Sequence, residues 1–196
     1  MKSLILSIQF LLVFGIVQAQ VSLAPTTVFA DANGIGTMYV SNGSDKPQEV
    51  NISFLFGYPG NDADGNLQMI YSDSIRENQA GLGDRIRTFP KSFILAPGQQ
   101  QAVRFQVRPD RNRPDGMYFT RVKVASNEQT ASVEETTTEG ISTQISLRLE
   151  QVIAVFQKNG ETSTGLEFKE IAASRKENFI KVESKFTVSG NSPFLG

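Results

Sequence analysis

The sequence predicts an all-β fold, and three observations carry that reading. Apolar and polar residues alternate along most of the chain, the period of half-buried strands. Turn-forming pairs such as Asn33-Gly34 and Pro97-Gly98 punctuate the alternation at short intervals. With 39% hydrophobic and 20% charged residues, the chain can bury a core and is not a disordered tail.

The N-terminus reads as an export signal. Met1-Lys2 gives a positive start, and Leu4 to Val17 is apolar except at Ser7, Gln9 and Gly15. Val17-Gln18-Ala19 places small side chains where a signal peptidase reads, so residues 1–19 are expected to be removed. The apolar run is about fourteen residues, short of the roughly twenty that span a bilayer. No later segment of the sequence reads as a membrane span, so the mature chain is expected to be soluble and outside the cytoplasm.

The mature chain then reads as short strands. Val21-Ser-Leu23 and Thr27-Val-Phe29 form an opening strand interrupted by Pro25, which suits an edge or a change of sheet. Gly36 to Val40 is a second strand, closed by Asn42-Gly-Ser-Asp45. Val50, Ile52, Phe54 and Phe56 place four apolar side chains on one face of a third. Tyr58 to Asn66 is a Pro/Gly/Asp loop, Leu67 to Tyr71 a short strand, and Ser74 to Phe89 follows no clear period. Phe93-Ile-Leu95 leads into the turn Ala96-Pro-Gly98, and Val103, Phe105 and Val107 alternate with Ala102, Arg104 and Gln106. Beyond the charged turn Arg108 to Gly116, the strand Met117 to Val124 sets Tyr118, Thr120, Val122 and Val124 against Met117, Phe119, Arg121 and Lys123. Ser126 to Gly140 is polar and is expected to be a mobile loop. A long strand returns from Ile141 to about Phe156. About seven or eight strands over roughly 135 residues fit an immunoglobulin-like β-sandwich across residues 20–158. Residues 159–165 read as a linker, and 166–196 as part of a second β domain. A tail that short buries too little to fold alone, so it either docks on the first domain or belongs to a unit that is incomplete here.

Composition removes most chemistry. Without His or Cys there is no Ser–His–Asp or Cys–His nucleophile, no imidazole or thiolate metal site and no disulfide. Nineteen basic against twenty acidic residues leave no basic footprint for nucleic acid. No cofactor is expected, and the reading is not an enzyme; a carboxylate-only glycosidase is the one class that survives the missing residues. Asp62-Ala-Asp64-Gly65-Asn66 suggests a calcium loop, but the twelve-residue frame would put Gly60 and Tyr71 at carboxylate positions, so a hairpin turn is expected instead. Arg108, Arg111 and Arg113 are interleaved with Asp110 and Asp115, as on a solvated turn. Asn42-Gly-Ser44 and Asn51-Ile-Ser53 match a glycosylation pattern too common to carry weight.

The remaining feature is one apolar row. Ile141, Thr143, Ile145, Leu147 and Leu149 point one way, and Ser142, Gln144, Ser146, Arg148 and Glu150 the other. Either an ordinary sandwich strand buries this row, or an edge strand offers it to another chain, with main-chain bonds giving affinity and alternate side chains filling pockets.

A series of words in order resembles the periplasmic chaperones of the chaperone–usher pilus pathway. They are Val21-Ser-Leu23, Leu95-Ala-Pro-Gly98, Gln101-Ala-Val-Arg-Phe105, Arg113-Pro-Asp-Gly-Met-Tyr-Phe119, Ile145-Ser-Leu-Arg-Leu149 and Val152-Ile-Ala-Val-Phe156. The resemblance implies two immunoglobulin-like domains, the second mostly missing here. It also implies a periplasmic protein that lends a strand to a pilus subunit and passes it to an outer-membrane usher. Ile145, Leu147 and Leu149 align with the family's donor residues. The family's paired arginine and lysine, which anchor the subunit's terminal carboxylate, fall on Thr26 or Thr27 and on Ala154, while Lys158 stands in place of a usual arginine. Arg104, Arg121, Lys123 and Lys158 are the remaining candidates for that anchor. The alternative is a structural or adhesive immunoglobulin-like domain of a surface or secretion assembly.

Overall fold

The alternating pattern becomes two facing sheets in the computed structural model, which describes residues 21–193 apart from 63, 111 and 130–146. Strands β1 (Val21–Ala24) and β2 (Thr27–Ala30) flank Pro25, followed by β3 (Ile35–Asn42) and β4 (Gln48–Leu55). A hairpin of β5 (Gly57–Asn61) and β6 (Leu67–Tyr71) leads to helix α1 (Ser74–Ala80) and a single 3-10 turn, Gly83–Arg85. Then come β7 (Ile86–Phe89), β8 (Ser92–Leu95), β9 (Gln100–Val107), β10 (Gly116–Glu128) and β11 (Arg148–Asn159). A long hairpin of β12 (Thr164–Lys176) and β13 (Phe179–Gly190) closes the described chain.

The first sheet has the order β1-β3-β9-β7 and the second β2-β11-β10-β4-β8. Pro25, which has no N–H for a ladder, marks the point where the opening strand passes from the first sheet to the second. Among the strand pairs of the described residues, only β2 and β11 run parallel. Met38, Val40, Val103, Phe105 and Val107 from the first sheet meet Val50, Ile52, Val122, Val124, Ile153 and Val155 from the second in one buried core. Phe54 sets its ring edge-on to Phe105, with centroids 6.4 Å apart. At the start of β10 the buried Tyr118 donates its hydroxyl to the Pro114 carbonyl at 2.8 Å, beneath the Arg113 guanidinium. A tyrosine bonded back to the backbone just upstream of this strand is a hallmark of immunoglobulin-like sandwiches. The all-β, immunoglobulin-like fold class expected from the sequence is the one found.

Two local expectations change. Val50, Ile52 and Phe54 face the core, but Phe56 does not join them, because β4 and its ladder to β10 end at Leu55. Phe56 instead packs on Phe119, with ring centroids 5.1 Å apart and the planes tilted by 32°, in a second cluster with Ala154 and Phe156, against which Tyr58 and Ala80 pack. The stretch read as a loop from Tyr58 begins with β5. Pro59 is tolerated there because both strands of a two-stranded hairpin are edges. Asn42 is 1% exposed, and its Nδ2 donates to the carbonyls of Lys46, Leu95 and Ala96, so its side chain ties two turns together and is closed to a glycan. The Asp62 region is a hairpin turn, as expected: Asp62 accepts from the Asp64 and Asn66 backbones, and the Asn66 side-chain bond holds its carboxyl below the ordinary range.

Helix α1 has no fully buried residue; Ala80 packs on the second cluster at its end, Arg113 donates to the Asn78 and Gly81 carbonyls there, and Asp73 caps its start. Asp73 accepts from the Arg76 N–H at 3.0 Å and from the Tyr58 hydroxyl at 2.6 Å. The Tyr58 bond, then the Arg76 backbone bond, lower the Asp73 pKa. A lowered folded value means the cap contributes fully above the ordinary carboxylate value and is lost as pH falls through the folded one. Asp73→Ala is therefore expected to speed amide exchange across Ser74–Ala80 at neutral pH without moving the global unfolding midpoint, and the wild type should show the same local loss in acid. A cap-independent helix would show neither.

The hairpin of β12 and β13 is tied at its base by Asn191. Its Nδ2 donates to the carbonyls of Asp115 and Glu161, and its Oδ1 accepts from the Ser163 N–H. Gly160 makes the approach with φ +62°; a Cβ there would collide with the Asp115 carboxylate. Beyond the base, Phe168, Ile171, Ile180 and Val182 are all exposed.

Candidate strand-edge site

Strand β11 pairs with β10 along its whole length, from Arg148 opposite Asn127 to Asn159 opposite Gly116. On its other side β2 pairs only with Ala154 to Gln157. Among the described residues, then, no strand covers the outer edge of Arg148 to Ile153, and its backbone groups there are open to a further strand. Side-chain alternation sends Ile153 and Val155 into the core. Gln151 has the same parity, and its Nε2 donates to the Val21 carbonyl at 3.0 Å, where β1 begins and the interior closes. The row continues past that closure: Leu149 is 40% exposed and Leu147, just before β11, is 70% exposed. Ile141, Thr143 and Ile145 lie outside the described residues.

The opposite side of the strand carries Arg148, Glu150, Val152, Ala154, Phe156 and Lys158. Glu150 sits 3.3 Å from Arg148 and 3.5 Å from Lys123. Val152, exposed on this side, is an apolar edge residue that the single-row reading missed; its signal was the second alternation Val152, Ala154, Phe156.

The two places where the resemblance expects a charged pair are brought together: Thr27 is the register partner of Ala154, and the Ala154 N–H lies 3.5 Å from the Thr26 carbonyl oxygen. Neither side chain is charged. Arg121 stands directly opposite Ala154 on β10, Lys123 opposite Val152, and Lys158 opposite Met117, all on this same face. Arg121 is half-buried, and its Nε donates to the Gly57 carbonyl at 3.0 Å. Arg104 is not among them. It projects from β9 on the far side of the first sheet, so the sandwich, whose sheets lie about 10 Å apart, separates it from β11. Among the described residues no cluster of His, Cys, Asp or Glu is placed to hold a metal, and no helix is long and apolar enough to cross a membrane.

Fold and edge together define an immunoglobulin-like sandwich whose last strand is half covered. No protein-family model matches the sequence, and no curated protein matches it. Among solved structures, a chaperone–tip adhesin complex of CFA/I fimbriae biogenesis is similar over 89% of this chain and 68% of the matched one, with 12% identity and a TM-score of 0.50. The periplasmic chaperone SfaE is similar at 13% identity and a TM-score of 0.43; the match covers 70% of this chain and 56% of SfaE, so this chain spans little more than half its length. A PapD-like domain of human CEP192 is similar at 14% identity and a TM-score of 0.45, over 77% of this chain and 97% of that domain. At these identities the likeness is one of fold. It is the divergent pilus-chaperone-like fold that the sequence resembles.

Proposed function

We propose that this protein is a periplasmic assembly chaperone that caps a secreted pilus subunit by lending it the open edge of β11. The observation that carries this reading is the half-covered strand, where β2 stops at Ala154 and the apolar row runs on into solvent through Leu149 and Leu147. A subunit lacking its own final strand would gain main-chain bonds along Arg148–Ile153 and fill its groove with the leucines. We assign the subunit's terminal carboxylate to Arg121, which lies opposite Ala154 with its terminal nitrogens free of any carboxylate among the described residues. Lys158 adds positive charge on the same face. The signal over residues 1–19 delivers the chain, the hairpin of β12 and β13 opens a second β unit, and an outer-membrane usher receives the capped subunit by strand exchange.

The test is co-production of the secreted protein with pilus-like subunits encoded beside it. The expected result is a complex that survives purification and that Arg121→Ala weakens about ten- to a hundredfold, the scale of one charge-assisted bond. If no subunit co-purifies with the wild type, the reading falls. If the complex forms but ignores Arg121→Ala, the anchor lies elsewhere.

A further inference from the structure

We propose that the outward face of the first sheet is a docking surface for an acidic protein segment, separate from the β11 edge. Strand register composes this face. Thr37, Arg104 and Phe89 align across β3, β9 and β7, and Gln106 and Arg87 align in the next row. The outward positions of all four strands hold only Ser, Ala, Ile, Thr, Tyr, Gln, Phe and Arg. None is acidic, in a chain with more acidic than basic residues overall. Arg108 extends the face just past β9 and shares with Arg87, Phe89 and Gln106 a cavity of about 220 Å³ whose one acidic lining residue is Asp84.

Arg87, Arg104 and Arg108 have no carboxylate within 4.0 Å among the described residues, whereas neighbouring Arg85 is paired with Asp110. Phe89 is 55% exposed and Tyr39, one row along β3, is 45% exposed. Exposed aromatic rings beside unpaired arginines are the composition of interface centres. The spacing suits an extended partner. Arg104 and Arg87 stand on a cross-strand diagonal about 7–8 Å long, and side chains two residues apart on an extended segment are about 7 Å apart. Carboxylates at alternate positions would thus meet both guanidiniums, each in a bidentate fork.

Charge selects the occupant. A nucleic-acid face belongs to a strongly basic domain, and this chain has a pI near 5.6. Recognition of anionic lipid uses clusters of about four to eight cations, and this face offers three. The surface lies across the sandwich from β11, so it does not depend on the chaperone reading, and both sites can be filled at once.

The experiment uses the mature protein and a fluorescent synthetic peptide alternating glutamate with threonine, followed by anisotropy. Saturable binding is expected at low salt, weakening as salt shortens the Debye length. Arg104→Glu and Arg87→Glu should each weaken it about tenfold while leaving the urea midpoint unchanged, since both side chains are exposed. Arg175→Glu on β12, with the same change in net charge, should leave binding intact, as should Leu147→Asp. Several outcomes would overturn the proposal: no binding at low salt, equal loss with Arg175→Glu, loss with Leu147→Asp, or tighter arginine-dependent capture by phosphatidylglycerol vesicles or single-stranded DNA than by the peptide.

Discussion

Leu147→Asp is expected to abolish capture of a subunit while leaving the free protein folded. Burying a leucine side chain in a subunit groove contributes about 1.5–3 kcal/mol. The aspartate forfeits that and adds the cost of desolvating an unpaired carboxylate, several kcal/mol more. A total of about 4 kcal/mol or more is roughly a thousandfold in affinity, enough to empty the complex at ordinary concentrations. In the free chain Leu147 is 70% exposed, so the same change should move stability by no more than about 0.5 kcal/mol. Leu147→Ile, which conserves volume, should be nearly silent. Co-purification of subunit and a urea titration of the free variant read the two halves separately. An unfolded free variant would place the row in the core; a folded variant that still captures subunit would remove the row from the interface.

Phe105→Ala is expected to have the largest effect on the fold itself. Phe105 is fully buried in β9 between the sheets, edge-on to Phe54. Truncating such a ring costs about 3–5 kcal/mol through lost transfer energy and the cavity left behind. Against a total stability of about 5–15 kcal/mol, and with no disulfide to restrain the unfolded chain, that is a large share. Urea denaturation should show the midpoint fall with the slope preserved. Ile94→Ala on β8, at a position 54% exposed, should shift stability by about 0.5 kcal/mol or less. Similar costs at both positions would show that the two sheets do not close over Phe105.

Much of the sandwich was legible because alternation is a direct record of burial. Val103, Phe105 and Val107 were set apart from Arg104 and Gln106 by parity alone, and the structure buries the first set and exposes the second. Pro25, through its missing N–H, left an edge or a change of sheet open, and the structure places β1 and β2 in different sheets. Ser74 to Phe89 was not legible, because it packs a seven-residue helix, a single 3-10 turn and a four-residue strand into one stretch, each shorter than a periodicity window. Phe56 misled because parity holds only while a strand continues, and β4 ends one residue before it.

The candidate site divides along the same line. Alternation by itself determined that Leu147 and Leu149 share a face with Ile153 and Val155, since a strand's side chains repeat every second residue wherever it lies. Tertiary structure alone decided which of them meet solvent. The neighbouring β2 covers β11 only from Ala154 to Gln157, and β1 begins beside Gln151, so a single side-chain row, interrupted by Gln151, is core at one end and open edge at the other. It likewise set Thr27 against Ala154 and Arg121 opposite, contacts between segments roughly 30 to 130 residues apart in the chain that no local pattern encodes.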